Sequence, residues 1–267
     1  MRIPAGLVLS LAVASLVACE RAPVRWMGPP EQLEGANSTA LGQRWELAVD
    51  SLHRLRFRVR YRPRVAEADS ACPGSLMGAV PMRRETYAGW FLSRPDSSVV
   101  LMVARSEDYG RTWSKGVVAD GRDRGRRGCD RPPPTVAVDT ANGYAHLAYF
   151  LEPAEGAGVW LVHSMEHGKM WHSPIAVAFG ADPAYADITA DQDTVVVAYE
   201  SPNANEGWIG LALSSTDGHL IDWRIPEISG RSVPVESPRI LMWGRGVIVA
   251  WVTQRGGLVM NRRGILE

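Results

Sequence analysis

An eight-residue turn signature that recurs along the chain is the feature that most constrains its fold. Its fullest form is Ser-Glu-Asp-Tyr-Gly-Arg-Thr-Trp at residues 106–113. Gly110 is free to adopt a positive φ, the Asp108 carboxylate can accept backbone N–H groups, and Trp113 can pack over the turn. The octet therefore predicts a tight hairpin, and its role is to build structure.

Degenerate copies of the octet follow. The copy at 164–171 keeps Ser164, Gly168 and Trp171 but has Glu in place of Asp and has lost the Thr. A shorter copy, Ser-Ser-Thr-Asp-Gly, occupies 214–218. Because the signature recurs, the chain is expected to consist of repeated β-units.

The apolar runs around the octets repeat as well. Runs that begin at Thr135, Asp187 and Arg239 are 52 residues apart in both intervals, 135 to 187 and 187 to 239. Each is followed by a turn, a second apolar run, a loop and a third run. Short β-rich runs in this order indicate a four-stranded antiparallel sheet with the octet between strands 3 and 4. The predicted fold is therefore all-β, a β-propeller.

Four such units are visible, and the last ends after its third strand. A propeller closes its ring to avoid an unpaired edge, so a strand from elsewhere is expected to complete that unit. Leu55–Tyr61 alternates cleanly and is the predicted closing strand, with 44–50 paired beside it. A small ring, a diverged fifth blade within 24–65, or a shortened propeller all remain open. The predicted blades are 72–120, 130–179, 181–230 and 233–267.

The octet matches the pattern S-x-D-x-G-x-T-W, and in this it resembles the Asp-box, or bacterial neuraminidase repeat, of sialidase-type β-propellers. The resemblance implies that the Asp-boxes are structural and lie on the face opposite the ligand site. That site would be built by loops between strands 2 and 3 and between blades. The structural Asp-box residues are then Ser106, Asp108, Gly110, Thr112, Trp113, Ser164, Gly168 and Trp171.

Candidate site residues follow from that placement. Asp187 and Arg239 begin inner strands and are expected to point into the axial funnel, and Glu200 and Glu236 lie in adjacent loops. A guanidinium suits a sugar carboxylate, and paired carboxylates suit general acid work. The alternative interpretation is that these are solvated loop charges. Further ligand-binding candidates are Arg127, Arg131, Asn203, Glu206 and Arg255.

The chain departs from the sialidase pattern at the catalytic residues. The family's Phe-Arg-Ile-Pro motif is missing near the N-terminus, and Trp223-Arg-Ile-Pro226 lies in a late outer strand. The family also has a tyrosine nucleophile late in the chain. Here the last tyrosine, Tyr199, falls inside a strand and is expected to pack in the core. A working sialidase is therefore not expected.

The six histidines are scattered in the sequence, and no metal or cofactor is predicted.

The N-terminus predicts export and lipidation. Residues 1–18 read as a signal peptide, and Leu16-Val-Ala-Cys19 resembles the bacterial lipobox, which implies a lipid on Cys19. A plain secretory signal is the alternative. Residues 19–43 read as a tether and 44–267 as the propeller. The expected location is the bacterial cell envelope, anchored to the membrane, with outer-membrane sorting implied by resemblance.

The formal net charge is +0, so no attraction to nucleic acid is predicted.

Two further cysteines, Cys72 and Cys129, each precede the first strand of adjacent predicted blades. Both therefore fall on the same rim, and an oxidising compartment would favour a disulfide between them. Two free thiols are the alternative.

Three functions are compatible with the sequence. A non-catalytic module that binds a glycan or an envelope protein fits the combination of family motif and missing catalytic set. The first alternative is a glycoside hydrolase that uses Asp187 with Glu200 or Glu236. The second is an envelope assembly factor, since propellers resembling these also help to build membrane complexes, with the arginine-rich loop Arg122–Arg131 as its contact.

Overall fold

The computed structural model describes residues 22–33, 36, 45–50, 55–79, 84–139, 141–203, 207–230 and 233–267. These residues form nineteen strands and one 3-10 helix, Ala66–Ser70, and they contain no α-helix. No helix in these ranges has the length and apolar character that a bilayer crossing requires.

The strands, in chain order, are β1 (Val24–Trp26), β2 (Glu31–Gln32), β3 (Trp45–Val49), β4 (Leu55–Val59), β5 (Met77–Gly78), β6 (Thr86–Ser93), β7 (Val99–Ser106), β8 (Val117–Asp120), β9 (Thr135–Val138), β10 (Ala145–Leu151), β11 (Gly158–Ser164), β12 (Ile175–Phe179), β13 (Ala186–Asp191), β14 (Thr194–Glu200), β15 (Ile209–Ser214), β16 (Trp223–Ile225), β17 (Val235–Trp243), β18 (Gly246–Thr253) and β19 (Val259–Leu266).

These strands form five sheets, and every pairing is antiparallel. Blade 1 is β5–β8, blade 2 is β9–β12 and blade 3 is β13–β16. Blade 4 is β17–β19 completed by β1, with β2 also paired to β19, and β3 and β4 form a separate hairpin sheet. The predicted class, an all-β propeller of four-stranded antiparallel blades, is confirmed.

The core lies between successive sheets. The second strand of blades 2, 3 and 4 is almost fully buried and rich in Val, Leu and Ala, because both of its faces meet a neighbouring sheet. Val65, after β4, packs against Trp90 of blade 1, so the chain passes directly from the hairpin sheet to that blade. Apolar clusters join neighbouring sheets through Leu101 and Leu147, Leu161 and Val197, Leu211 and Val249, and Leu47 and Ile248.

The strand that closes blade 4 differs from the prediction. Val24 is in register with Leu266, so β1 covers the free edge of β19. Val24 is also buried in the cluster between blades 3 and 4, which gives this short strand an apolar anchor. The expectation that Leu55–Tyr61 closes the ring is wrong, because β4 pairs with β3 instead. The predicted pairing beside 44–50 is therefore correct, and the predicted tether contains two strands of the propeller.

The turns between third and fourth strands share one geometry. The hydroxyl of the first serine accepts a hydrogen bond from the N–H of the glycine four residues later, and each glycine has a positive φ. These pairs are Ser106 and Gly110 at 2.8 Å and φ 78°, Ser164 and Gly168 at 3.0 Å and φ 72°, and Ser214 and Gly218 at 3.0 Å and φ 81°.

Asp108 adds a further set of bonds to the first turn. Its Oδ1 accepts from the backbone N–H groups of Arg111 at 3.0 Å and Thr112 at 2.8 Å. Its Oδ2 accepts from the Thr112 hydroxyl at 2.6 Å. The bonds from Thr112 are the main reason that the pKa of Asp108 is lowered to about 2. Its carboxylate therefore stabilises the hairpin, as expected.

Antiparallel topology sorts the connections onto two faces of the ring. The turn face carries the connections between strands 1 and 2 and between strands 3 and 4 of each blade. The loop face carries those between strands 2 and 3 and between blades. Cys72 and Cys129 lie on the loop face and form a disulfide with Cα atoms 5.2 Å apart, which agrees with the predicted bridge.

Candidate functional site

A buried ion pair occupies the ring axis near the loop face. Arg60, just after β4, donates from Nη2 to Asp187 Oδ1 at 2.6 Å and from Nη1 to the Tyr185 hydroxyl at 3.2 Å. The other Asp187 oxygen accepts from the backbone N–H of Ile240 at 3.0 Å. Asp187 therefore lies on the axis, but its carboxylate is already occupied by protein donors.

Arg239 is also engaged within the protein. It is fully buried, and it donates from Nε to the Trp45 carbonyl at 2.5 Å and from Nη1 to the Pro238 carbonyl at 2.6 Å. Its guanidinium lies 4.4 Å from the Tyr185 ring centre and 5.0 Å from that of Trp45. The expectation that Arg239 lines an open funnel is therefore wrong, because it joins blade 4 to the hairpin sheet.

The open space on the axis lies elsewhere than expected. A cavity of about 420 Å³ runs along β13 from Asp187 to Asp191 and along β17 from Ile240 to Trp243. Both strands run toward the turn face in this direction. The axial funnel therefore extends toward the turn face, and not toward the loop face as the sequence suggested.

A second concavity, the loop-face pocket, lies between blades 3 and 4. Its volume is about 530 Å³. It brings together three of the predicted site residues, which come from the end of β14, the following loop and the start of β17. The side chains relevant to binding are Asp182, Tyr185, Glu200, Asn203, Trp208 and Glu236.

Glu200 is held firmly in this pocket. Its Oε2 accepts from the backbone N–H of Tyr185 at 2.8 Å, and its Oε1 accepts from that of Ser237 at 2.6 Å. Burial raises the pKa of Glu200, the two N–H donors oppose that shift, and the negative charge of Glu236 adds to it. Glu200 is thus a positioned carboxyl group that is easier to protonate than an exposed glutamate.

Two of the loop arginines are engaged within the protein. The Arg131 side chain is fully buried and contacts Asp123 at 3.2 Å and the Gly128 carbonyl at 2.9 Å. Arg127 contacts Glu152 at 3.1 Å and the Ala181 carbonyl at 3.0 Å. The expected ligand role of Arg131 is wrong, because its buried guanidinium is paired with Asp123 and hydrogen-bonded to the Gly128 carbonyl of the same loop.

The remaining candidates are placed differently. Arg255 is exposed in the turn after β18, beside Gln254, which lines the loop-face pocket. Glu206 and the lipidation candidate Cys19 lie outside the described residues.

Two segments that the sequence analysis set beside sialidase motifs, Tyr199 and Trp223–Pro226, have structural roles in this fold. Tyr199 is buried and packs against Trp208, with ring centres 6.4 Å apart, as predicted. Arg224, within the motif-like Trp223–Pro226, donates to the Val177 and Ala176 carbonyls at 2.9 and 2.8 Å. Neither residue reaches the loop-face pocket.

Sequence reasoning missed three groups. In the sequence, Arg60 looks like one of several solvent-facing arginines on an alternating strand. Trp208 belongs to no recognisable motif. The histidines were expected to be scattered, but His146, His163, His172 and His219 meet on the turn face. The available signal was their position, since His163 and His172 flank one turn octet and His219 directly follows the next copy.

No protein-family model matches the chain, and no curated protein matches it either. Among solved structures, the Hadza microbial sialidase Hz136 superposes with a TM-score of 0.52 at 14% identity, over 80% of this chain and 50% of its own. The NanB sialidase from Streptococcus pneumoniae gives a TM-score of 0.49 at 14% identity, over 79% and 34%. A protein of unknown function from Dyadobacter fermentans DSM 18053 gives 0.49 at 12% identity, over 91% and 72%.

The chain therefore spans half or less of the length of these two sialidases. At such low identity the likeness shows the fold alone, a sialidase-like propeller.

Proposed function

We propose that this protein is a non-catalytic carbohydrate-binding propeller of the bacterial cell envelope, and that the loop-face pocket binds a neutral or amino sugar. The supporting observation is the collection of carboxylates, an amide and an indole in one concave site between blades 3 and 4. Carboxylates and amides hydrogen-bond to sugar hydroxyls, and aromatic rings pack against the C–H faces of a sugar.

The charge of the pocket selects among sugars. Its described lining includes the acids Asp182, Glu200 and Glu236 and no Lys or Arg. A carboxylated sugar would meet three like charges, whereas an ammonium group would be attracted. Although the fold is sialidase-like, we therefore expect this pocket to reject sialosides.

Glycan binding by the mature protein tests the proposal. Titration calorimetry with glucosamine oligomers, their N-acetylated forms and sialyllactose should give binding for the first two and none for sialyllactose. Glu236→Gln and Asn203→Ala should weaken binding. Glu155→Gln is the matched control, because Glu155 is an exposed acid on the same face that pairs with Arg122. Binding of sialyllactose alone, or of no glycan by folded protein, would contradict the proposal.

A glycoside hydrolase is the second candidate, and Glu200 is the observation that favours it. A buried carboxyl with a raised pKa beside a second carboxylate resembles a general acid with its partner. Asp187 is a poorer choice, because it is held in a buried ion pair with Arg60. Turnover of any fluorogenic glycoside that is abolished in Glu200→Gln, with glycan binding retained, would replace the binding function with hydrolysis.

The lipid anchor is part of the proposal and has its own test. Mass spectrometry of the N-terminal fragment from cells should find acyl chains on Cys19, and Cys19→Ala should move the protein from the membrane to the soluble fraction. An unmodified Cys19 would leave the binding function standing and remove the anchor.

A further inference from the structure

A cluster of histidines on the turn face has no part in the proposed function. His146 lies at the start of β10, His163 near the end of β11, and His172 just after the intervening octet. His219 comes from the corresponding turn of blade 3. The repeat of the blades thus stacks side chains from two neighbouring turns at one place.

Three of these side chains are close enough to share an ion. His163, His172 and His219 each offer a ring nitrogen, and the three nitrogens all lie within 4.8 Å of one another. The ring centre of His163 lies 4.4 Å from that of His172 and 4.5 Å from that of His219. Zinc bonds of about 2.0–2.1 Å place tetrahedral ligand nitrogens about 3.4 Å apart. The His163 and His172 rings are nearly parallel, with an interplanar angle of 11°, so the half-buried His172 ring must rotate and the exposed His219 must move inward for the three nitrogens to face one ion.

The hydrogen bonding of the cluster also points to a missing ligand. Nε2 of His163 is buried and has no hydrogen-bond partner among the described residues. Leaving such an atom unpaired is costly, and buried polar atoms without partners are uncommon in folded proteins.

His219 is already oriented as a ligand. Its Nδ1 lies 2.8 Å from the Thr216 carbonyl oxygen, so this nitrogen carries the proton and donates it to the carbonyl. Nε2 therefore keeps its lone pair. Metal-binding histidines are typically oriented by such a bond from the second ring nitrogen.

We infer that His163, His172 and His219 form a binding site for one divalent transition-metal ion, with zinc the best match, and that water fills the fourth position. Neutral imidazoles are preferred ligands for zinc, and a three-histidine set with one open position is an established zinc coordination. Because His163 and His172 belong to blade 2 and His219 to blade 3, the ion would also link the two blades.

Zinc binding to the mature chain tests this inference. Protein stripped with EDTA should take up one zinc ion per chain in titration calorimetry, and its Tm should rise with zinc. Cobalt should bind at the same stoichiometry and give visible absorption typical of low coordination number.

Variants locate the site. His172→Ala and His219→Ala should each weaken zinc binding at least about tenfold and leave the folded protein intact, because His219 is exposed and His172 is only half-buried. His167→Ala is the matched control, since His167 lies in the same turn but pairs with Glu85 at 2.9 Å. Absence of stoichiometric zinc uptake by the native chain, or unchanged affinity in both cluster variants, would overturn the inference.

Discussion

Arg60 and Asp187 form a buried hydrogen-bonded ion pair at 2.6 Å, although 127 residues separate them in the chain. Their side chains are 8% and 4% exposed. Arg60 follows the hairpin sheet, Asp187 belongs to blade 3, and the second carboxylate oxygen reaches Ile240 of blade 4. Three sheets thus meet at one carboxylate, which defines the centre of the ring.

Breaking this pair should destabilise the protein strongly. Arg60→Met leaves the Asp187 carboxylate buried without its counter-charge, and the expected loss is about 3–5 kcal/mol in urea unfolding. Arg60→Met combined with Asp187→Leu should lose less than the single variant, because no charge is then left unpaired. Arg58→Met is the control, since Arg58 is 47% exposed and its partner Glu46 keeps Arg60 at 3.8 Å, so the expected loss is about 1 kcal/mol or less. Equal losses at positions 58 and 60 would contradict this account.

Asp108 should contribute stability that disappears in acid. Its hydrogen bonds lower its folded pKa to about 2 from 3.8. Its contribution is therefore complete above 3.8 and is lost as the pH falls toward 2. The Tm advantage of the native chain over Asp108→Asn should shrink between pH 6 and pH 2.5. Glu107→Gln removes an exposed carboxylate from the same turn and should not reproduce that change.

Glu200 should show the opposite pH dependence. Because its folded pKa is raised above 4.5, its carboxyl group favours the folded state most when it is protonated. That stability is present below 4.5 and is lost as the pH rises through the folded pKa. The free energy of unfolding of the native chain, relative to Glu200→Gln, should therefore decline as the pH rises from 4.5. If the free energy of unfolding of the native chain, relative to Glu200→Gln, instead increased with pH, the two N–H bonds to the carboxylate would outweigh the effect of its burial.

The disulfide between Cys72 and Cys129 should stabilise the fold largely by reducing the conformational entropy of the unfolded chain. It joins residues 57 apart in sequence, and closing a loop of that length is worth about 4 kcal/mol in the chain-entropy account. Urea unfolding with and without dithiothreitol should differ by about this amount. The double variant Cys72→Ala, Cys129→Ala should be insensitive to dithiothreitol, and a persistent effect there would point to another cause.

Gly168 and Gly143 form a matched pair that separates backbone strain from steric clash. Both have a positive φ, 72° and 80°, so either change to Ala should cost about 1–2 kcal/mol. A Cβ on Gly168 would also lie 2.7 Å from Tyr87 Cε1, whereas one on Gly143 meets no atom within 4 Å. Gly168→Ala should therefore lose about 1–3 kcal/mol more than Gly143→Ala in thermal or urea unfolding. Equal losses would mean that Tyr87 moves aside freely.

The sequence was sufficient for the blades because each one repeats the same local chemistry. The runs that begin at Thr135, Asp187 and Arg239 are strands, and the serine–glycine turns follow where the octets predict them. The closing strand was not predictable in the same way, because Val24–Trp26 is too short to show a period. Its placement depends on the edge of β19, which only the assembled fold presents.

The site was harder to predict because its residues act across blades. Arg239 and Arg131 look like ligand-binding cations in sequence, yet each finds backbone carbonyls or carboxylates once neighbouring segments pack. Glu200 and Glu236 did converge on one pocket, because the ends of β14 and the start of β17 meet on the loop face. The histidines converge for the same geometric reason, but their spacing in sequence carried no recognisable metal motif.

The pairing of β1 with β19 also separates local from long-range steps of folding. Val24 and its partner Leu266 are 242 residues apart, whereas the strands of blades 1, 2 and 3 follow one another directly in the chain. Contacts between distant segments form more slowly than contacts between neighbouring ones. We therefore expect the edge of β19 to be covered late in folding, after the strands within each of these blades have paired.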